Sequence, residues 1–111
     1  MKYFGSFADR DDVLSNFATT GAEFPTEEQI LFASYDTPDY EGAAVVVFER
    51  DGTLYEVNGS HCSCSGLEGQ WIPEETTWAA LAMRGIAYTH PEAEQFLANL
   101  AAQRQAPALA T

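Results

Sequence analysis

The chain has 111 residues, 17 acidic side chains against 5 Lys and Arg, a net charge of -12, 46% hydrophobic residues and 13% aromatics. That length is one domain, and the apolar fraction is that of a chain with a core, so the acidity rides on a folded scaffold and global disorder is excluded. The charge balance also argues against direct binding to nucleic acid or anionic lipid, both of which require clustered Lys and Arg.

No apolar run approaches the roughly 18 residues of a membrane span, and Met1 to Ser6 lacks the apolar segment of a signal peptide. The expectation is a soluble protein of the cytoplasm with no membrane partner. Along the chain, Ser6 and Asp9 have capping-box spacing and open a predicted helix over 7–18. Val13, Leu14 and Phe17 form its apolar face, Asp11 and Asp12 lie in the early turns, and Gly21 is the expected stop. Residues 22–29 read as a polar connector, in which Thr26 to Gln29 can cap one further turn.

Ile30 to Tyr35 is a run of β-formers ended by the turn composition Asp36-Thr37-Pro38-Asp39. Ala43 to Glu49, with three consecutive valines, is a stronger strand and the expected centre of the sheet. Asp51-Gly52 accepts positive φ and signals a hairpin, so Thr53 to Val57 returns as the partner strand. Residues 58–71, rich in Gly and Ser, read as a loop. Pro73, Glu74 and Glu75 suit the first turn of a helix over 74–84, with Trp78, Leu81 and Ala82 inward and Gly85 as its stop. Thr89 to Glu92 opens a last helix over 91–104, where Ala93, Phe96, Leu97, Leu100 and Ala101 keep helical spacing.

The predicted fold is therefore α+β: a three-stranded antiparallel sheet in the order αβββαα, with the helices packed on one face. Residues 1–105 form the domain and 106–111 fray. Val45 to Phe48, Trp78, Phe96, Leu97 and Leu100 are the expected core.

His61-Cys62-Ser63-Cys64 is the one cluster of soft ligands. A structural zinc needs four donors and this loop supplies three, His61, Cys62 and Cys64, so the fourth would have to be His90 or Glu68. Cys-x-Cys is also shorter than zinc-knuckle spacing. The bland reading, small thiols packed under a tight loop, is preferred, and no metal or cofactor is expected. Adjacent His and Cys lack the third group that would orient an imidazole for nucleophilic catalysis. No phosphate-binding glycine loop or dinucleotide fingerprint is present. With 17 carboxylates, acid pairs arise by chance and do not mark an acid/base dyad, so no enzyme is expected.

Between Glu23 and Glu56 there are nine acids and one base, Arg50. Asp36, Asp39, Glu41, Glu49, Asp51 and Glu56 are the candidate partner-binding residues, because turns and outward strand positions leave carboxylates hydrated. Such a stripe imitates, in crude form, the roughly one charge per 1.7 Å of duplex DNA, and it speeds association in a salt-dependent way. Against this stands the reading that the charge only keeps the protein soluble and its strand edges apart.

The stretch from Leu54 to Thr77, with His61-Cys62-Ser63-Cys64-Ser65-Gly66-Leu67-Glu68-Gly69-Gln70-Trp71 at its heart, resembles a segment shared by small bacteriophage and prophage proteins; the rest of the chain matches nothing. The resemblance implies a viral origin, and with it a host cytoplasm. It carries no established activity and brings no catalytic residue. Small acidic phage proteins are commonly stoichiometric inhibitors of host machinery. Joined to the charge, this points to a non-catalytic inhibitor of a basic, nucleic-acid-handling site on a host defence complex, an anti-CRISPR protein acting on a CRISPR effector. The alternative is a zinc- or thiol-based accessory domain using the loop from His61 to Cys64.

Overall fold

In the computed structural model, which describes residues 2–18, 24–36, 42–61, 66–84 and 91–105, the strand β3 (Gly42–Arg50) lies at the centre of a five-stranded sheet. Five consecutive residues, Ala44 to Phe48, are buried in it. Successive side chains of a strand point to opposite faces, so burial at both parities requires cover on both faces. Around β3 the strands run β1 (Tyr3–Gly5), β2 (Ile30–Asp36), β3, β4 (Thr53–His61) and β5 (Glu74–Glu75) in spatial order. β1 is parallel to β2 and the remaining pairs are antiparallel. Three helices complete the order: α1 (Arg10–Phe17) between β1 and β2, then α2 (Trp78–Arg84) and α3 (Pro91–Gln105) after β5.

The predicted three-stranded antiparallel sheet with helices on one face is thus overturned. The sheet is mixed, has five strands, and is covered on both faces. On one face Phe7, Val13 and Phe17, from α1 and the turn before it, meet Ala33, Tyr35, Ala44, Val46, Phe48 and Val57. On the other, Leu81 of α2 and Leu97 of α3 meet Phe32, Val45, Val47 and Leu54, with Trp78 and Phe96 packed alongside. Full burial of a side chain the size of Phe32 or Phe48 stabilises by about 1.5–3 kcal/mol, so each layer contributes many times the worth of a surface contact. No described helix is long and apolar enough to cross a membrane.

Two local devices produce this arrangement. The register of β2 against β3 slips between Ile30, opposite Phe48, and Phe32, opposite Val47. This β-bulge inserts one extra residue and inverts the alternation. Ile30, Ala33 and Tyr35 therefore reach the α1 layer, while Leu31 and Phe32 both reach the α2/α3 layer. At the β3–β4 turn, Asp51 and Gly52 have φ of 53° and 79°, the pair of positive values of a type I′ turn, as the Asp-Gly signal requires.

The first two helices start three and four residues later than expected, while α3 starts at Pro91 as expected. Asp9, and not Ser6, caps α1: its Oδ1 accepts from Asp12 N at 2.9 Å, and Asp12 Oδ2 in return accepts from Ala8 N at 2.9 Å. The helix ends at Ala18, whose φ of 52° places it in the left-handed region; Gly21 lies outside the described residues. Glu74 and Glu75 are strand and not first helical turn, because Thr77 is the cap of α2: its Oγ1 accepts from Ala80 N at 3.0 Å and its carbonyl from Leu81 N at 3.0 Å. The Thr26–Gln29 turn forms as read, with Thr26 N donating to Gln29 Oε1 at 2.9 Å.

Candidate functional site

β4 continues through Asn58, Gly59 and Ser60, a stretch whose composition reads as loop, because each of these residues pairs with β3: Val45 opposite Asn58, Ala44 opposite Gly59, Ala43 opposite Ser60. Space is tight at Gly59. A Cβ at this position would lie 3.1 Å from Leu67 Cδ2 and 3.2 Å from Phe17 Cε1. Beyond His61 the chain returns at Gly66, and the side chain of Gln70 joins the two stems. Its amide donates to Ser60 O at 2.7 Å and to Gly66 O at 2.9 Å, and its Oε1 accepts from Ser60 N at 2.8 Å. One side-chain amide thus pairs with the edge of β4 as a neighbouring strand would.

Trp71 then turns into the α1 layer. Its ring centroid lies 4.6 Å from that of Phe24, 5.1 Å from Phe17 and 5.9 Å from Phe48, and Leu67 is fully buried in the same cluster. In the Gly66 to Trp71 half of the segment from His61 to Trp71, Leu67, Gln70 and Trp71 therefore do structural work, and Gly69, with φ of 78°, makes the turn between them. Of the soft-ligand candidates, Cys62 and Cys64, together with His90, lie outside the described residues, as does the His61 side chain. Glu68 is exposed. Among the described residues no group of three His, Cys, Asp or Glu is placed to hold a metal ion.

The acidic candidates do not form one stripe. Asp36 pairs with Ala43 at one end of the sheet, while Glu49 and Asp51 stand at the hairpin end, about 20–25 Å away at roughly 3.3 Å per residue. Asp39 and Glu41 fall outside the described residues. Glu56 is only 5% exposed, on the α2/α3 side of β4, and its Oε2 accepts from Asn58 Nδ2 at 3.1 Å. It is not a hydrated surface carboxylate.

What the fold gathers instead is a set of acids around the hairpin. Glu49 N donates to Gln29 O at 3.0 Å, which sets the turn bearing Glu27 and Glu28 beside Glu49 and Asp51. On the far side of β4, Glu74 and Glu75 pair with Glu56 and Tyr55. Of these acids Glu27, Glu28, Asp51, Glu74 and Glu75 are exposed. Nothing local in the sequence marks Glu27, Glu28, Glu74 and Glu75 as site residues; only strand order brings them toward the hairpin end of the sheet.

Lys2, Arg10 and Arg50 each engage the protein's own groups. Lys2 Nζ pairs with Glu27 Oε2 at 3.2 Å and donates to Ile30 O at 2.8 Å. Arg10 Nε donates to Pro25 O at 2.7 Å with its guanidinium 5.1 Å from the Phe24 ring centroid, and Arg50 lies 5.3 Å from that of Phe48. The Tyr3 hydroxyl donates to Glu27. That bond, and after it Lys2, hold the Glu27 carboxyl below its ordinary pKa, while burial, and then the same bond, push the Tyr3 phenol up. Burial, and after it the charge of Glu68, also raise Tyr35. Comparison with protein-family models, curated proteins and solved structures gave no match.

Proposed function

We propose that this protein is a non-catalytic binding protein whose anionic sheet end docks on a basic, nucleic-acid-handling surface of another protein. The resemblance to small phage proteins directs the search to host defence complexes, CRISPR effectors first. The observation that carries the reading is the asymmetry at the hairpin end. Exposed Glu28, Asp51, Glu74 and Glu75 lie toward that end of the sheet, while Lys2 is paired with Glu27 and Arg50 lies against the Phe48 ring. A field of one sign on a rigid scaffold steers a cationic partner and repels nucleic acid.

The test is competition: the purified protein is added to a CRISPR effector with its target duplex, and duplex binding is followed from low to high salt. The expected result is displacement of the duplex at low salt, weakened by Glu28→Lys with Asp51→Lys while the circular dichroism spectrum is unchanged. Individual exposed ion pairs contribute about 0.2–1 kcal/mol, so the double reversal should shift the inhibitory concentration by tenfold or more through its collective effect on the field. Displacement that ignores both salt and charge reversal would leave the acids with a solubility role alone.

A further inference from the structure

Ile72 is 66% exposed, the one large hydrophobic side chain among the described residues that is left in water. A lone exposed aliphatic residue is ordinary; its setting here is not. Trp71 before it is stacked in the core, Ile72 N donates to Gln70 O at 2.9 Å, and β5 after it is paired to β4. Ile72 is therefore held in place on a braced segment. Among the described residues β5 is also the terminal strand of the sheet. Thr76 N donates to Leu54 O at 2.9 Å, and hydrogen-bonded and non-bonded positions alternate in an antiparallel pair, so the Glu75 N–H and C=O point away from the sheet. The exposed carboxylates Glu74 and Glu75 follow the apolar residue two and three positions along the chain.

From this arrangement we infer that the outer edge of β5, from Ile72 to Glu75, receives an extended segment of the partner protein in which Lys or Arg alternates with apolar residues. The inference rests on the anionic docking reading and names where and with what chemistry it acts. Charge selects the occupant. A second copy of this chain laid along the same edge would set Glu74 and Glu75 against their own equivalents, and like charges directly opposite destabilise a strand pair. An acidic segment fails for the same reason. A segment of alternating cationic and apolar side chains meets the Glu75 carboxylate with the first set, covers Ile72 with the second, and reaches the outward Glu75 backbone as an added strand does.

The experiment measures fluorescence anisotropy of two labelled octapeptides, one alternating Lys and Val and one alternating Lys and Ser, titrated with the full chain at low salt. The Lys-Val peptide is expected to bind about tenfold more tightly, the order of magnitude for covering a large aliphatic side chain. Ile72→Ser, at an exposed position that leaves the fold intact, should erase that difference, and Glu75→Lys should weaken both peptides. Asp51→Lys should leave the ratio between them unchanged. Equal binding of the two peptides, or a ratio that survives Ile72→Ser, overturns the strip while the anionic reading stands. Binding of neither peptide overturns both.

Discussion

The side-chain amide of Gln70 is bonded to both the N–H and the carbonyl of Ser60, at 2.8 and 2.7 Å, where no further strand pairs with β4 among the described residues. A third bond to Gly66 O makes Gln70 the tie between the two stems of the 62–65 segment. Gln70→Ala should therefore destabilise by about 1–3 kcal/mol, the scale of losing several net hydrogen bonds at a partly buried site. Gln70→Glu should do no better, because a carboxylate keeps the acceptor for Ser60 N–H and loses both donated bonds. Hydrogen exchange at the Ser60 amide checks this: Gln70→Ala should speed it selectively, with amides in the middle of β3 following only the global change.

Gly59 tests how closely α1 and the returning segment press on β4. A methyl added there would meet Leu67 Cδ2 at 3.1 Å and Phe17 Cε1 at 3.2 Å, so Gly59→Ala should cost about 1–3 kcal/mol as an overpacked site. Adding Leu67→Val removes one of the two obstructions. The double variant should then be less destabilised than the sum of the single changes, a coupling read from denaturant melts.

The bond from Tyr3 to Glu27 defines a pH window. Glu27 is held below its ordinary 4.5, so its contribution is present above that value and disappears as pH falls through the lower folded pKa. Tyr3 is held above its ordinary 10.0, so its contribution is complete below pH 10 and disappears as pH rises through the higher folded pKa. The Glu27 side chain is 53% exposed, and solvent screening keeps the pair to about 0.5–1 kcal/mol. Thermal melts between pH 3 and 11 should show Tyr3→Phe slightly less stable than the parent across the middle of the range and converging on it at acid pH.

Ser34 is fully buried on the α2/α3 side of β2, and its Oγ has no hydrogen-bond partner among the described residues. A desolvated hydroxyl without a partner costs about 1–3 kcal/mol, whereas a methyl in that place loses no bond. Ser34→Ala should raise stability by about 1 kcal/mol in urea melts, against the general trend that substitutions in a core destabilise.

The Asp-Gly turn, the antiparallel run of β2, β3 and β4, and helices over most of 10–17, 78–84 and 91–105 were legible because propensity, pairing and periodicity agree there. The rest depended on distance in the fold. β1 has three residues and exists only because Ala33, Ser34 and Tyr35 lie beside it, which no local pattern records. Phe24 and Pro25 look like connector and are buried, with Trp71 against the Phe24 ring. The bulge at Ile30 to Phe32 hides the face assignment of β2. One signal was available: apolar residues at both parities from Ala44 to Phe48 describe a strand covered on both sides, which a single helical layer does not supply. For the site, Asp36 and Asp51 are near in sequence yet at opposite sheet ends, whereas Glu28 and Glu75 are far apart in sequence and both near the hairpin. Proximity along the chain is a poor guide to charge convergence in an antiparallel sheet.

The spatial order β1-β2-β3-β4-β5 repeats the order of the chain, and this has a consequence in time. β3 is joined to β4 by a two-residue turn, so that ladder closes with little loss of chain freedom, whereas Tyr3 must find Ala33 thirty residues away. Local closure precedes distant closure when stabilities are comparable. The expected nucleus is the β3–β4 hairpin, with β1 zipping last. Substitutions at Val46 or Val57 should then slow refolding, while Tyr3 and Phe4 substitutions should leave the refolding rate nearly unchanged and accelerate unfolding. The amino-terminal strand would thus govern how long the native state lasts more than how quickly it is reached.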